Sequence, residues 1–280
     1  MIIISTYYIE KVDKPGTIRK ILKAKIKNDN LEIYLNLSKD KNISKVIKKI
    51  KKSDISSVVL EKQLHENKNF INALYANDIK IFDGRWLIKY LSFEILDYIM
   101  DKIKIKKEET EIAITSNEIT DLTIETIKIL SKEYKRLSVI TNHIDKLKKI
   151  EKEIYEKEGI LIILTNNSKK SLLKPRIILN MDFNKELLNR YKINENAIII
   201  NLEGNMKIDN KRYNGININD YEIEVGKEET IWRENKEKYY NKELLEKALY
   251  CKDSFKNIRN RISKAKVEIK ELYGRTNNKI

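Results

Sequence analysis

The sequence predicts an α/β protein of two domains built around mainly parallel sheets. Residues 111–142 have the pattern of a buried strand, an amphipathic helix and a second strand. Three further runs with uninterrupted apolar centres follow at regular intervals, at 160–165, 176–180 and 197–201. Uninterrupted apolar strands are typical of a parallel sheet that helices cover on both faces. The helical patterns between these runs predict the covering layers.

The first of these segments predicts strands at 111–116 and 137–142, with a helix at 119–134 between them. The next helix is expected at 143–157, where Gly159 would end it. This order of elements is the opening of a dinucleotide-binding, Rossmann-like domain. The turn after the first strand nevertheless lacks every glycine that would let a pyrophosphate approach the backbone.

The rest of the chain predicts fewer strands. A helix is expected around 185–191, and the less apolar run 215–219 has the character of an edge strand. From Lys227 to about Tyr273 the pattern is helical, and we expect two helices divided near Tyr240–Asn241. These helices are expected to pack back onto the preceding domains.

The N-terminal part of the chain also alternates strands with helices, and its charged run at 102–109 predicts a domain boundary. One strand is expected to begin at Ile2–Ile4, and further strands are expected at 31–37, 57–60 and 79–82. Helices are expected at 44–52, 67–76 and 86–103. The predicted organisation is an N-terminal α/β domain at 1–105, a Rossmann-like domain at 106–226 and C-terminal helices at 227–280.

The composition excludes several kinds of site. The chain has 280 residues, 41% of them hydrophobic, which is enough for two cores. It has one cysteine and two histidines, which exclude an internal disulfide, a cysteine-based metal cluster and a multi-histidine metal site. The N-terminus does not have the pattern of a signal peptide, and no run approaches the length of a membrane span. We therefore expect a cytoplasmic protein with no membrane partner and no metal.

The formal net charge of +15 is concentrated at the two ends of the chain. Residues 1–110 carry 23 Lys and Arg against 15 Asp and Glu, residues 111–226 carry 19 against 18, and residues 227–280 carry 15 against 9. A lysine-rich stretch at 45–52 and a C-terminal stretch from Lys252 contain much of the excess. Each could bind nucleic acid or an acidic protein, or could be a solvated helical face in a lysine-rich protein.

Polar side chains follow the predicted strands of the middle domain. The carboxyl ends of parallel strands line the ligand crevice of an open α/β sheet. The candidate cofactor-binding residues at these positions are Ser116, Asn117, Asn142, His143, Thr165 and Asn166. Their hydroxyl and amide groups could bond a phosphate, a ribose or a base edge. The same residue types are common turn formers and helix caps, so a purely structural role stays open.

A second candidate constellation lies in the N-terminal half, where Asp83 and Arg85 flank Gly84 between a predicted strand and a predicted helix. Arg85 could hold a carboxylate or phosphate with two parallel hydrogen bonds, and Asp83 is a second candidate substrate-binding residue. The alternative is that Asp83 caps the helix and that Trp86 belongs to the core. No catalytic constellation is recognisable.

The segment from Val139 to Lys146 resembles the second-strand segment of the shikimate-dehydrogenase-like and glutamyl-tRNA-reductase-like proteins. Asn142 matches the asparagine of their Asn-Arg-Thr pattern, and His143 stands in the place of the arginine. The resemblance implies a degenerate NAD(P)-binding domain between a smaller α/β domain and C-terminal helices. It also implies that Asn142 lies near an adenosine ribose and that the cofactor, if there is one, is NAD or NADP.

Three functions remain open from the sequence. The first is a nucleotide- or small-molecule-binding protein on a degenerate Rossmann fold without dehydrogenase activity. The second is an NAD(P)-dependent oxidoreductase with an atypical phosphate loop. The third is a protein that binds nucleic acid or an acidic protein through its basic N- and C-terminal regions.

Overall fold

The computed structural model describes residues 6–11, 25–27, 30–33, 37–209, 212–226, 236–251 and 253–274. The chain forms two compact units, each made from two stretches of sequence. Unit 1 comprises Met1–Gly84 with Gly226–Lys252, and unit 2 comprises Arg85–Val225 with Asp253–Ile280. The C-terminal stretch is therefore divided between the two units.

Unit 1 is a five-stranded sheet covered by helices. Its strands are β1 (Thr6–Lys11), β2 (Lys25–Lys27), β3 (Asn30–Ile33), β4 (Ser57–Leu60) and β5 (Lys80–Ile81), in the order β2-β3-β1-β4-β5. Among the strand pairings that the structure describes in this unit, only that of β2 with β3 is antiparallel. Its helices are α1 (Asp40–Lys52), α2 (Lys68–Tyr75) and, from the C-terminal stretch, α8 (Asn241–Leu249). The two N-terminal helices pack on each other, and α8 packs on β4.

Helix α1 is amphipathic, which explains its place in unit 1. Ile43, Val46, Ile47 and Ile50 are spaced so that they share one face, and all four are buried in the unit 1 core. Burial of this stripe against the sheet holds the helix, whereas its lysines point to solvent.

Unit 2 is a seven-stranded sheet. Its strands are β6 (Glu111–Thr115), β7 (Arg136–Ile140), β8 (Ile163–Thr165), β9 (Ile177–Asn180), β10 (Ile198–Asn201), β11 (Ile216–Val225) and β12 (Val267–Gly274). Its helices are α3 (Arg85–Tyr90), α4 (Ser92–Ile103), α5 (Asp121–Glu133), α6 (Ile144–Glu158), α7 (Lys185–Leu188) and α9 (Phe255–Lys264). The last of these packs on α3 and α5.

The strand order of unit 2 identifies its fold. The order is β12-β11-β10-β9-β6-β7-β8, and all pairings are parallel except that of β11 with β12. Counted from β6, the six parallel strands follow the order 3-2-1-4-5-6, which defines the doubly wound dinucleotide-binding architecture. The prediction of an α/β protein with a Rossmann-like parallel sheet is therefore confirmed.

Local sequence signals explain the ends of the helices that follow β6 and β7. Thr120 caps α5, because its side chain accepts a hydrogen bond from the backbone N–H of Thr123. Helix α6 ends at Gly159, as predicted, where φ is +67° and a side chain would be strained.

Several predicted elements differ from the structure. The run 215–219 is the start of β11, which lies inside the sheet with partners on both sides. The apolar strand predicted at 160–165 is the edge strand β8, and Leu161 and Ile163 are exposed. The helix predicted at 86–103 is two helices, broken at Leu91.

The C-terminal region differs most from the prediction. Helix α8 begins at Asn241, at the predicted division, but a further break lies at 250–254 and the stretch after Ala265 is the strand β12 instead of a helix. The expectation that the basic residues of the C-terminal stretch share one helix is therefore wrong. Helix α9 carries Lys256, Arg259, Arg261 and Lys264, whereas Lys266 and Lys270 lie outside it. The expectations for residues 2–4, 34–36, 227–235, 252, 275 and 279 lie outside the described residues.

Among the helices that the structure describes, none combines the length and the apolar character that a membrane span needs.

Candidate functional site

The site of interest in unit 2 lies where its strand order reverses. From β6 the chain builds the sheet outward through β7 and β8, and from β9 it builds outward in the other direction through β10 and β11. In open α/β sheets, the loops at the carboxyl ends of the two strands at such a switch point diverge and leave a crevice in which ligands bind. Here those strands are β6 and β9.

The turn between β6 and α5 is closed by a carboxylate from the end of β9. The backbone N–H of Asn117 donates to both oxygens of Asp182, at 2.8 and 2.9 Å, and the N–H of Glu118 donates to Oδ2 at 2.6 Å. The hydroxyl of Ser116 donates to the same Oδ2 at 2.8 Å. Asp182 therefore accepts hydrogen bonds from the turn groups that bind a phosphate in a dinucleotide-binding domain.

Asn117 also joins this turn to the end of β7. Its side-chain Oδ1 accepts a hydrogen bond from the backbone N–H of Asn142 at 2.9 Å. The structure thus brings three of the predicted residues, Ser116, Asn117 and Asn142, to one edge of the sheet. Ser116 is buried and Asn117 half-buried, whereas Asn142 is exposed.

The ends of β7 and β8 are also adjacent, because the N–H of Thr141 donates to the carbonyl of Thr165 at 3.1 Å. The hydroxyls of these threonines accept from the N–H groups of His143 and Asn167, respectively, so they cap their own turns. His143 and Asn166 are exposed. Within the described part of the chain, the side chains of Asn142, His143 and Asn166 have no hydrogen-bond partner.

A network of asparagines occupies the ends of the strands on the other side of the switch point. Thr115 donates to Asn180 at 2.8 Å, Asn180 donates to Asn201 at 3.1 Å, and Asn201 donates to Asn217 at 2.6 Å. Asn180 and Asn201 are buried, and Asn201 also donates to Asn219. These amides satisfy one another, so they stabilise the fold and offer nothing to a ligand.

Asp83 and Arg85 fall in different units. Within unit 1, Asp83 accepts a hydrogen bond from the Tyr75 hydroxyl at 3.3 Å. Within unit 2, the guanidinium of Arg85 lies beside Gly204, 3.6 Å from where a Cβ of that residue would stand. On the same side of α3, Lys89 pairs with Glu203. Arg85 is therefore near the carboxyl end of β10.

A buried acidic cluster in unit 1 was missed by the sequence reasoning. Glu243 and Glu246 lie one turn apart on α8, each is 1% exposed, and each has one carboxyl oxygen without a hydrogen-bond partner. Nε2 of His65 lies 3.1 Å from Glu243 Oε1. His65 thus faces this buried carboxyl.

Burial dominates the protonation of this cluster. It raises the pKa of Glu246 to about 8, and nearby Asp83 acts in the same direction, whereas Lys80 and the backbone of Gly84 oppose it. Burial also raises the pKa of Glu243 despite its contact with His65. Burial lowers the pKa of His65, but the contact with Glu243 and the negative charge of that carboxyl raise it by more. The pKa of His65 is therefore raised.

The remaining titratable groups of the described residues do not form a metal centre. No group of three or more His, Cys, Asp or Glu side chains within the described ranges could hold a metal ion. The one cysteine, Cys251, forms no disulfide and is partly exposed.

No protein-family model matches this sequence, and no curated protein matches it. Solved structures similar to it include the A chain of dipicolinate synthase from Bacillus subtilis, with 13% identity over 51% of this chain and a TM-score of 0.31. Another is L-tryptophan dehydrogenase from Nostoc punctiforme, with 7% identity over 65% of this chain and a TM-score of 0.30. A third is ornithine carbamoyltransferase from Pyrococcus furiosus, with 11% identity over 69% of this chain and a TM-score of 0.29.

The chain spans about half of the dipicolinate synthase chain (48%) and of the dehydrogenase chain (53%), and 70% of the carbamoyltransferase chain. Likenesses this weak carry no argument about function. The Rossmann-like fold of unit 2 rests on its own strand order, and the finer resemblance to shikimate-dehydrogenase-like and glutamyl-tRNA-reductase-like proteins stays a prediction.

Proposed function

We propose that this chain is a small-molecule-binding protein on a degenerate Rossmann-like fold and is not an active NAD(P)-dependent dehydrogenase. The observation that carries the proposal is the carboxylate of Asp182, which accepts the backbone N–H groups of Asn117 and Glu118. In a dinucleotide-binding domain, the N–H groups of this turn hold the pyrophosphate.

A phosphate entering this turn would meet two obstacles. Its negative charge would approach the carboxylate of Asp182, and like charges at contact distance repel. The three donors it needs already bond Asp182, so binding would first have to break four short charge-assisted hydrogen bonds. The glycines that give a pyrophosphate access to the backbone are also absent, and Ser116 and Asn117 stand in the turn instead.

The free side chains at this edge favour a neutral or cationic polar ligand. Asn142, His143 and Asn166 present amide and imidazole groups to solvent, and Glu118 is exposed beside the turn. Amides can donate hydrogen bonds to hydroxyl and base-edge groups and accept hydrogen bonds from them, and carboxylates attract cations. A nucleoside-like molecule without a phosphate chain fits this chemistry better than NAD or NADP.

A thermal-shift panel tests the proposal. Adenosine and S-adenosylmethionine represent neutral and cationic ligands, and NAD, NADP and ATP represent the phosphate-bearing class. A ligand present at about 100 times its dissociation constant stabilises the folded state by about 2.7 kcal/mol. We expect stabilisation by a ligand without phosphates, and none by NAD, NADP or ATP.

Two alanine variants separate a site effect from a general one. Asn142→Ala removes an exposed amide at the carboxyl edge of the sheet and should abolish the shift. Asn196→Ala removes an exposed amide just before β10, at the amino edge, and should leave it unchanged. Stabilisation by NAD or NADP, together with hydride transfer to the nicotinamide, would overturn the proposal.

A further inference from the structure

The outer face of α1 carries an uninterrupted positive stripe. The helix contains six lysines and one acidic residue, Asp40, and Lys39 precedes it. All seven lysines are exposed: Lys39, Lys41, Lys45, Lys48, Lys49, Lys51 and Lys52. In the parts of the chain that the structure describes, none of them has a carboxylate partner.

The spacing of these lysines places four of them in a single row. Lys41, Lys45, Lys48 and Lys52 follow the i, i+4, i+7, i+11 pattern, so at 3.6 residues per turn they share one face. This face is opposite the buried stripe of Ile43, Val46, Ile47 and Ile50. At 1.5 Å per residue the row extends about 16 Å along the helix axis.

Helix α6 shows what an ordinary solvated lysine-rich helix looks like in the same chain. It carries five lysines and five acidic residues. Lys148 pairs with Asp145 at 2.6 Å and Lys157 pairs with Glu153 at 2.8 Å. The lysines of α1 differ from those of α6, because α6 supplies acidic neighbours one turn away and α1 does not.

We propose that the lysine stripe of α1 binds the phosphate backbone of nucleic acid, independently of the ligand site in unit 2. Charge complementarity selects a polyanion, because a counter-charged partner relieves the mutual repulsion of lysines in a row. A row of about 16 Å is as long as the stretch of duplex axis that holds about five phosphates of one strand, at about 3.4 Å of axis for each. The apolar residues of α1 are buried, so the face has no group to insert into a lipid layer.

The stripe predicts binding without sequence preference, because lysines bond phosphates as point charges and none of the stripe residues can stack on a base. Affinity should fall steeply with salt as condensed counterions are released. The logarithm of the binding constant should fall by about 0.9 for each duplex phosphate neutralised, per unit of log salt concentration.

Fluorescence anisotropy of the full chain with labelled RNA, single-stranded DNA and duplex DNA of about 20 nucleotides tests this at about 50 to 200 mM salt. On duplex DNA we expect binding for which the logarithm of the binding constant falls with the logarithm of the salt concentration with a slope of about −4 or steeper. The variant K41Q/K45Q/K48Q/K52Q should bind at least about tenfold more weakly at about 100 mM salt, with a slope shallower by about 3 to 4 units.

The matched control is K148Q/K149Q/K152Q/K157Q on α6, which removes the same charge from exposed lysines and should change the affinity by less than about twofold. Melting curves check that both variants fold. Equal losses in both variants would show that only net charge matters and would overturn the proposal. So would no binding to any of the three nucleic acids, or equal binding to polyglutamate or to vesicles of anionic lipid.

Discussion

The carboxylate of Asp182 accepts the backbone N–H of Asn117 through both of its oxygens, at 2.8 and 2.9 Å. The two residues are 65 positions apart in sequence and meet because β6 and β9 are adjacent parallel strands. Thr115 pairs with Asn180 in the strand register, so the residues two positions beyond each strand end face each other across the switch point. The fold therefore holds a protein carboxylate in the place where this architecture usually receives a phosphate.

Asn117→Ala should loosen the link between the ends of β6 and β7. It removes the acceptor of the Asn142 N–H while leaving the bonds of its own backbone to Asp182 in place. We expect a loss of about 1 kcal/mol in the free energy of unfolding, the net worth of one hydrogen bond. Hydrogen exchange at the Asn142 amide should become faster, whereas Asn117→Asp, which keeps an acceptor, should retain the protection.

Asn180→Ala should be among the costly substitutions in the chain. It leaves the Asn201 Oδ1 and the backbone N–H of Phe183 without their partner inside the core. Buried unsatisfied groups cost about 1–3 kcal/mol each, so urea denaturation should show a loss of about 2–4 kcal/mol. Asn166→Ala, at the exposed end of β8, should change stability by less than about 0.5 kcal/mol. Similar effects of the two would contradict the distinction between structural and ligand-facing asparagines.

Much of the parallel core of unit 2 could be predicted because local pattern and tertiary role agree there. The strands β6, β7, β9 and β10 are apolar runs with helical patterns between them, and they form the interior of the sheet. The strand β8 has the same apolar character but lies at the edge. Its position depends on which strands pair, and a single run of sequence does not contain that information.

The strand β12 was missed because no turn residue marks its beginning. Lys266 adopts φ of +45° between α9 and β12, where glycine or asparagine is the usual signal. The partner of the β6 turn was missed for a different reason. Asp182 lies two residues beyond the end of β9, and only the strand order places it opposite Asn117.

Glu246→Gln should flatten the pH dependence of stability. In the unfolded chain this carboxyl loses its proton near pH 4.5, and in the folded protein burial raises its pKa to about 8. Between these values the folded state holds a proton that the unfolded state has lost, so stability falls as pH rises through the window and levels off above about 8. The glutamine has no such proton to lose.

Urea denaturation at pH 5 and pH 8 measures this effect. The wild-type protein should lose more stability than Glu246→Gln between the two pH values, by on the order of 3 kcal/mol. Glu186→Gln, at an exposed position on α7, is the matched control and should keep the wild-type pH dependence. Parallel pH profiles for wild type and Glu246→Gln would show that this carboxyl is not buried as described.

Arg259→Ala should weaken the attachment of α9 to α4 within unit 2. The guanidinium donates to both oxygens of Glu94 at 2.8 Å and to the carbonyl of Tyr90 at 2.7 Å. It also lies over the ring of Phe93, at 4.9 Å from the ring centre. We expect a loss of about 1–3 kcal/mol by denaturation, because hydrogen bonds to charged groups contribute at this level. Lys256→Ala, an exposed cation on the same helix, should have little effect.

The central claim is that Asp182 occupies an anion site, and a phosphate titration of Asp182→Ala tests it most directly. The variant should be less stable than wild type by about 2–3 kcal/mol, because it leaves the turn donors without their charged acceptor. Millimolar phosphate should raise the melting temperature of this variant, because phosphate can bind to those donors. The ionic strength is held constant with chloride. Wild type and Asp182→Asn should show no such response. An Asp182→Ala variant as stable as wild type and indifferent to phosphate would contradict the account.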